Sequence, residues 1–433
     1  MKRNLLLLGL TLMIGSLPSI MVQAQTQAID SPIRIVGEAD EEEEDESPLT
    51  FTISGEIDAS SRNYTGTRFD TPSGAENENS IITKIPSFDM YLEYNFAPRW
   101  TAVADVEYVS GSSIQVDEIS MSYEFNPSFF LKGGLFVLPV GYCNSGLSYM
   151  DYYTNGDPEG EYDLIPCPMS EIGLAAYGEF LYGISYHASI TTGFNPLNFS
   201  ATNWSMCATQ GFFKDETYLS SPAFTVAMGY EGIPGLNLKA GVYFTPDASR
   251  NTGIYSTYKD FCKLQTGKTY KIPVTIWFAN AQYTHKYFTA RASYLQGNIG
   301  NSQCISDFND FLINTGLGDD EMEYTGGIIG KQAISYMGEV GLNLKNCLYP
   351  GTDGPELTPF VHYECYDPQH QVDPAKQDLR EPASKVRLWS FGLHWKTSDN
   401  IAIKCNYTTR KIGSGDMNNM NDINLGLAYS FDL

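Results

Sequence analysis

The last eleven residues of the chain alternate strictly between apolar and small or polar side chains. Residues 423–433 read I-N-L-G-L-A-Y-S-F-D-L, with every odd-numbered position apolar and every even-numbered position small or polar. A period of two places successive side chains on opposite faces of a β-strand. The segment therefore predicts a strand with one apolar face and one wet face.

The same alternation recurs along residues 49–433 and predicts sixteen strands in all. The apolar registers of the first five include, in turn, Leu49, Phe88, Trp100, Ile119 and Phe129. The sixth to fifteenth strands are predicted near residues 171–179, 183–194, 223–231, 236–244, 273–284, 287–297, 333–345, 357–366, 385–396 and 400–411.

The connections between these strands alternate in length. Those after even-numbered strands are mostly short, as at 98–99 and 285–286, whereas most of those after odd-numbered strands are long, as at 138–170 and 298–332. Short turns at one end and long loops at the other are typical of an outer-membrane barrel. The pattern predicts an all-β fold, a transmembrane antiparallel β-barrel of 16 strands. A further interpretation is a soluble β-sandwich binding protein, in which the apolar faces pack against a second sheet.

Aromatic residues on the apolar faces collect at the two ends of the predicted strands. Two girdles of this kind mark the membrane interfaces of a barrel. The girdle beside the short turns comprises Tyr94, Phe96, Trp100, Tyr123, Phe125, Phe129, Tyr230, Trp395 and Phe431. The girdle at the other end comprises Tyr108, Phe194, Phe244, Tyr363 and Tyr407.

The first 48 residues differ from the rest. Residues 1–24 have a basic start, an apolar run from Leu5 to Ile14 and a V-Q-A ending, which predicts a cleaved signal peptide and export. Residues 25–48 contain eight acids between Glu38 and Glu46, which predicts a short, disordered acidic tail in the periplasm. The barrel is expected to occupy residues 49–433, as a multi-pass protein of the cell outer membrane.

The net charge and the cysteine spacing argue against several classes of function. The chain has 27 Lys and Arg against 51 Asp and Glu, a net charge of −24, which disfavours a nucleic-acid partner. No CxxC pair, Gly-rich phosphate loop or catalytic set stands out, so the sequence predicts neither a cofactor nor an enzyme. Cys143 and Cys167 bracket one long loop and could pair in an oxidising compartment.

Three segments carry a family resemblance. They are P-S-F-D-M-Y-L-E-Y-N-F (86–96), V-D-E-I-S-M-S-Y-E-F-N-P (116–127) and L-K-G-G-L-F-V-L-P-V-G (131–141). Together they resemble the phosphate-selective porin family, the porin O and P group. The most specific part is a Gly-Gly strand followed by x-Pro-x-Gly at the entry to a long loop. The resemblance implies a 16-stranded barrel, a homotrimer, and a third outer loop that folds inward.

The anion site of that family does not carry over to this chain. Such a site needs several basic residues along one inward path, whereas the predicted inward faces mix both signs. The inward bases are Lys132, Lys239, Arg291, Lys345, Lys396, Lys404 and Arg410, and His362 stands at a further inward position. The inward acids are Asp89, Glu93, Asp105, Glu107, Glu118, Glu124, Glu231, Glu339 and Glu364. Phosphate selectivity is therefore not expected.

The third long loop, residues 138–170, has five acids, no Lys or Arg, and several tyrosines. If it folds into the lumen, it forms an acidic, aromatic-lined constriction, because rings of acid favour cations and aromatics beside polar groups suit amphipathic solutes. An exposed acidic loop is the other reading. Candidate pore-lining or constriction residues are Lys132, Tyr149, Asp151, Tyr152, Asp157, Glu159, Glu161, Asp163, Glu93, Glu107, Arg291, His362, Lys404 and Arg410.

These patterns favour a porin, a passive diffusion channel for small hydrophilic solutes or ions, with outer-membrane lipids around it. Lys132 is the single most promising functional charge, because it lies in the fifth strand just before the third loop. The alternative is a structural or adhesive barrel that displays the loops near 195–222 and 298–332. The two hypotheses differ in the state of the lumen. In a barrel without a transport role, we expect loops to fill it.

Overall fold

The computed structural model describes residues 48–65, 79–109, 114–209, 217–316, 327–351, 354–413 and 419–433. The predicted signal peptide and all but the last residue of the predicted acidic tail lie outside these ranges. No helix of the described segments is long and apolar enough to cross a membrane.

Sixteen antiparallel strands form one closed barrel in which each strand pairs with its neighbours in sequence and β1 pairs with β16. The predicted all-β barrel is confirmed. The strands are β1 Leu49–Arg62, β2 Ser80–Ala97, β3 Trp100–Val109, β4 Ile114–Asn126, β5 Phe129–Val137, β6 Ser170–Phe180, β7 Ile184–Thr191, β8 Ala223–Tyr230, β9 Leu236–Thr245, β10 Val274–His285, β11 Phe288–Ile299, β12 Gln332–Leu342, β13 Glu356–Gln371, β14 Val386–Ser398, β15 Ile401–Ile412 and β16 Asn419–Asp432.

Helices occur only between strands in the described part of the chain. The α-helices are α1 Glu159–Tyr162, α2 Tyr255–Thr266, α3 Ser302–Thr315 and α4 Leu344–Leu348. Short 3-10 turns lie at Pro196–Asn198, Ala248–Asn251, Pro374–Leu379 and Pro382–Ser384. Apart from α4, all of them lie in the connections after odd-numbered strands, at the long-loop end of the barrel.

The terminal strand β16 closes the barrel against β1. Its register runs from Thr52 opposite Asp432 to Arg62 opposite Asp422, and the Thr52 hydroxyl donates to Asp432 Oδ1 at 2.7 Å. Ile423 on the outer face is 57% exposed, whereas Asn424 on the inner face is 8% exposed. The period-two pattern of the sequence therefore marks the outer and inner faces correctly, because lipid accepts the apolar face and the lumen accepts the polar one.

Aromatic side chains form a continuous row on the outer face of β2–β5, beside the short turns. Ring contacts run from Phe96 to Trp100, from Trp100 to Tyr123 (4.9 Å between centroids), and from Tyr123 through Phe125 to Phe129. Every strand also pairs on both sides, so the ladder leaves no open edge for lipid to meet. An apolar belt on a closed barrel is the architecture of a multi-pass outer-membrane protein.

Two sequence assignments need correction. Phe194 is not part of the outer girdle: β7 ends at Thr191, and Phe194 is fully buried against Tyr243, at 4.8 Å between ring centroids. Lys345 is not on an inward strand face, since β12 ends at Leu342 and Lys345 lies in α4. The strand ends there because the Asn343 side chain accepts from the Asn346 N–H and caps α4.

The long loops between β7 and β13 pack into an apolar cluster at one side of the barrel mouth. Trp204 lies against Gly297, where an added Cβ would come within 2.1 Å of the indole, and its Nε1 donates to the Gly330 carbonyl at 3.0 Å. Helices α2 and α3 meet through Tyr258 and Phe308, whose ring centroids lie 5.3 Å apart. The loops are packed in this sector, whereas the cavities of the lumen are lined mainly by residues of β1–β4 and β13–β16.

Candidate functional site

Loop 138–169, between β5 and β6, is closed at its base. A disulfide joins Cys143 to Cys167 with Cα atoms 6.1 Å apart, so the pairing considered from the sequence occurs. The Asn144 amide donates to the Val140 carbonyl at 2.8 Å and to the Pro166 carbonyl at 3.1 Å. The disulfide and this amide hold the two ends of the loop together beside the barrel wall.

Glu161 fastens the far part of the loop back onto its start. Its carboxylate accepts from the backbone N–H groups of Tyr142 and Cys143, and the residue is fully buried. Burial raises the pKa of Glu161, while these backbone hydrogen bonds lower it. Gly141 makes this closure possible, since it has a φ of 84° and an added Cβ would lie 2.7 Å from Glu161 Oε2.

A buried charge cluster on β11–β13 holds the tip of the loop. Glu364 accepts from the backbone N–H of Glu159 at 3.1 Å and of Gly160 at 2.6 Å, at the start of α1. His362 lies between Glu364 Oε1 (2.7 Å) and Glu339 Oε2 (3.0 Å), and Arg291 pairs with Glu339 at 2.8 Å. With a carboxylate at each ring nitrogen, His362 donates from both and carries a positive charge.

Strand β15, two strands along the wall from β13, holds the same loop through two further bases. Lys404, which is fully buried, contacts Glu56 Oε2 at 3.1 Å and donates to the Thr154 carbonyl at 3.0 Å. Arg410 pairs with Glu159 and with Asp422, each at 2.7 Å. Loop 138–169 therefore contacts inward side chains of β13 and of β15.

The loop also contacts β3. The Tyr149 hydroxyl donates to Glu107 Oε1 at 2.5 Å. Burial, and then the charge of Glu107, raise the pKa of Tyr149 well above its ordinary range, so the phenol keeps the proton that it donates.

Two cavities lie along the lumen on either side of this contact. The loop-side cavity, of about 760 Å³, is lined by residues at the outer ends of the strands, such as Arg62 and Asp422. The turn-side cavity, of about 450 Å³, reaches residues near the chain end, such as Ser430. The two cavities share four lining residues: Glu107, Tyr149, Asp157 and Cys167. They meet where loop 138–169 approaches β3.

Acidic residues dominate the lining of both cavities. The loop-side cavity has the bases Arg62, Lys84 and Arg410 against the acids Asp58, Glu107, Asp157, Glu159, Asp163, Glu364 and Asp422. The turn-side cavity has one base, Lys132, against Asp89, Glu93, Asp105, Glu107, Asp117, Glu118, Asp157 and Asp432. Lys132 itself pairs with Glu118 at 3.0 Å. Fixed negative charge of this kind attracts cations.

Asp157 lies at the junction of the cavities, and the pKa of its carboxyl group is raised. Burial raises its pKa to about 7, and the nearby charges of Glu107, Glu56 and Glu161 act in the same direction. Its carboxyl group therefore changes charge near neutral pH, at the point that both cavities share.

The structure divides the candidate residues of the sequence into two groups. Eight line one or both cavities: Lys132, Tyr149, Asp157, Glu159, Asp163, Glu93, Glu107 and Arg410. Six line neither, namely Asp151, Tyr152, Glu161, Arg291, His362 and Lys404. In this second group, Glu161, His362 and Lys404 hold the loop or its anchors, as described above.

Sequence reasoning missed several cavity-lining charges, among them Asp58, Arg62, Lys84, Asp117 and Asp422. Asp58 and Asp422 are on inward faces and continue the period-two pattern of their strands, so the alternation could have found them. Asp117 could not be found this way, because a β-bulge turns it inward beside Glu118.

Comparison with solved structures gives a likeness over the whole barrel. The anion-selective porin from Comamonas acidovorans matches with a TM-score of 0.52 and 10% identity, covering 88% of this chain and 99% of that chain. The outer membrane channel DcaP of Acinetobacter baumannii matches with a TM-score of 0.51, 11% identity, and coverage of 88% and 97%. The fold is that of the outer-membrane porins.

Salmonella typhi OmpF, solved in complex with daunomycin, has a TM-score of 0.50 and 12% identity over 88% of this chain and 97% of that chain. Among curated sequences, an uncharacterized protein of Aquifex aeolicus (strain VF5) is 24% identical over 352 residues, which are 77% of this chain and 71% of the relative. No family model matches the chain.

Proposed function

We propose that this protein is a passive outer-membrane channel for small hydrophilic solutes, in which loop 138–169 forms the constriction. The observation that carries the proposal is that the loop-side and turn-side cavities meet at Glu107, Tyr149 and Asp157. The porin fold of similar structures supports the same function. No enzymatic step is part of the proposal.

The channel prefers cations. Acids outnumber bases in the lining of both cavities, and two of the lining bases are already paired, Lys132 with Glu118 and Arg410 with Glu159 and Asp422. Phosphate transport is not proposed, despite the sequence resemblance to phosphate-selective porins, because the lining offers no run of basic residues to carry an anion. That resemblance does support a homotrimer, which native mass spectrometry in detergent would test.

A structural or adhesive barrel is the alternative. The packing of the loops between β7 and β13 into one apolar cluster is compatible with it. Two cavities of about 760 and 450 Å³ along the other sector favour the channel, because a plugged lumen would leave no such space.

Planar-bilayer recording tests the proposal directly. Purified protein is expected to give discrete conductance steps in KCl, and a salt gradient is expected to give a reversal potential of the sign set by cation preference. A protein that inserts but never conducts would contradict the channel. A reversal potential of the opposite sign would leave the channel in place and contradict the cation preference.

A further inference from the structure

Strand β4 carries a β-bulge that places two consecutive acids in the lumen. Asp105 of β3 pairs with Glu118, and the next residue, Val106, pairs with Val116, which leaves Asp117 as the extra residue. Asp117 is 5% exposed and Glu118 is 9% exposed, and both line the turn-side cavity. Bulges re-aim side chains and are frequent beside functional sites.

The bulge completes a group of four carboxylates on β2–β4, which we call the acidic pocket: Asp89, Asp105, Glu107 and Asp117. Asp117 lies within hydrogen-bonding distance of Glu107, and Asp105 within hydrogen-bonding distance of Asp89. No N–H or O–H donor of the residues that the structure describes reaches the buried Oδ1 of Asp117, and the same holds for Oδ1 of Asp89 and of Asp105. Carboxylates this close to one another share either a proton or a cation.

The cavity lining indicates what kind of cation fits. No group of three or more His, Cys, Asp or Glu side chains in the described ranges converges closely enough to hold a bare metal ion. The turn-side cavity has about 450 Å³, within the range of sites for small organic molecules, and Tyr91, Tyr149 and Leu147 line it beside the acids. An ammonium group donates three hydrogen bonds, and its carbon chain packs against such rings.

We propose that the acidic pocket binds the primary ammonium group of a small organic solute, with Asp117 and its buried Oδ1 as the principal acceptor. This rests on the proposed channel function and names the solute class that the constriction favours, namely small alkylamines. The carbon chain of the solute lies toward Tyr149 and Leu147, and the acids shared with the junction pass it to the loop-side cavity.

Isothermal titration calorimetry on the folded protein in detergent micelles tests the proposal. The probes are 1,4-diaminobutane, 1,4-butanediol and succinate, which share a four-carbon skeleton but differ in charge, together with calcium chloride. Diaminobutane is expected to bind, and butanediol and succinate to show no heat of binding. Equal binding of butanediol or succinate, tighter binding of calcium than of the diamine, or no binding of the diamine would each overturn the proposal.

Substitutions locate the site. Asp117→Asn is expected to weaken diaminobutane binding about tenfold, because it removes one charge-assisted hydrogen bond, whereas Asp117→Glu keeps the charge and retains most of the affinity. Asp399→Asn, in the exposed turn between β14 and β15, makes the same charge change away from the lumen and is the control. Heat-modifiable gel migration checks that each variant is folded. Equal affinity of the Asp117→Asn and Asp399→Asn variants would overturn the assignment.

Bilayer recording on the same preparations separates this proposal from the channel itself. A wild-type protein that conducts KCl but does not bind diaminobutane overturns the ammonium site and leaves the channel standing. A protein that binds diaminobutane through Asp117 without conducting overturns the channel and leaves the binding site standing.

Discussion

Cation preference should rise with pH through neutrality, and Asp157 should account for part of the rise. Burial raises the pKa of this carboxyl to about 7 from an ordinary value of 3.8. Below that value the group is neutral, and above it the group adds one negative charge where the two cavities meet. The added charge attracts cations and repels anions, so the sign of the change is an increase in cation preference as the pH rises.

The size of the effect follows from Coulomb's law. A cation that passes about 6 Å from the carboxylate in a water-filled pore gains about 0.7 kcal/mol, which corresponds to about a threefold change in the permeability ratio. With a pKa of about 7, the group goes from about 1% ionised near pH 5 to about 99% ionised near pH 9. At an ionic strength of about 0.1 M the Debye length is about 10 Å, so salt screens an interaction over about 6 Å only in part.

Reversal potentials in a KCl gradient, recorded from about pH 5 to about pH 9, measure this change. The wild type is expected to show a step with a midpoint near neutrality, and Asp157→Asn a smaller step and a curve that matches the wild type at low pH. Asp399→Asn, in an exposed turn, should follow the wild type. A step of full size that persists in Asp157→Asn would refute the assignment, since another group would then carry it.

Three further predictions concern what holds the loop. Lys404→Met leaves Glu56 buried without its ion-pair partner and should lower the free energy of unfolding by about 3–5 kcal/mol, seen as a lower temperature of heat-induced gel migration; adding Glu56→Gln should restore most of it, and no recovery would contradict the pairing. Glu364→Ala removes the acceptor of two α1 N–H groups and should give larger, noisier single-channel currents. Currents of this variant as quiet as those of the wild type would contradict the anchoring role of Glu364. Cys143→Ser with Cys167→Ser removes a disulfide that spans 24 residues and should lower the free energy of unfolding by about 3 kcal/mol. The double variant should also show raised current noise, which the wild type is expected to show only after reduction of the disulfide.

The barrel could be predicted from the sequence because one physical rule acts on every strand. Lipid on one side and a wet lumen on the other impose a period of two, and β16 shows it from Ile423 to Phe431. The same rule fails once a segment leaves the membrane. Phe194 continues the apolar register of β7, yet it belongs to the loop packing, since any apolar environment satisfies it equally well. Helices α2 and α3 lie in loops where no such period operates.

The candidate site could be predicted only in part. Tyr149, Asp157 and Glu107 were identified as constriction candidates because loop acids and inward acids are visible in the alternation, and they lie together at the junction of the cavities. Asp117 was missed because a bulge reverses its face, and a bulge depends on how β3 and β4 pair rather than on local pattern. The roles of Lys404 and His362 depend on the path of the loop, which the sequence does not specify.

Counting inward charges therefore misjudges the electrostatics of this lumen. Arg291, Lys404 and the imidazolium of His362 all face inward, yet each is buried in an ion pair under or beside loop 138–169 and lines neither cavity. Positive charge is thus used to hold the loop, whereas the surplus of acids remains along the open space. Among the loop acids, Glu159 pairs with the wall base Arg410, whereas Glu161 is held by backbone N–H groups of the loop itself. The bases buried in these ion pairs are therefore withdrawn from the open lumen, which leaves its acids to set the proposed preference for cations.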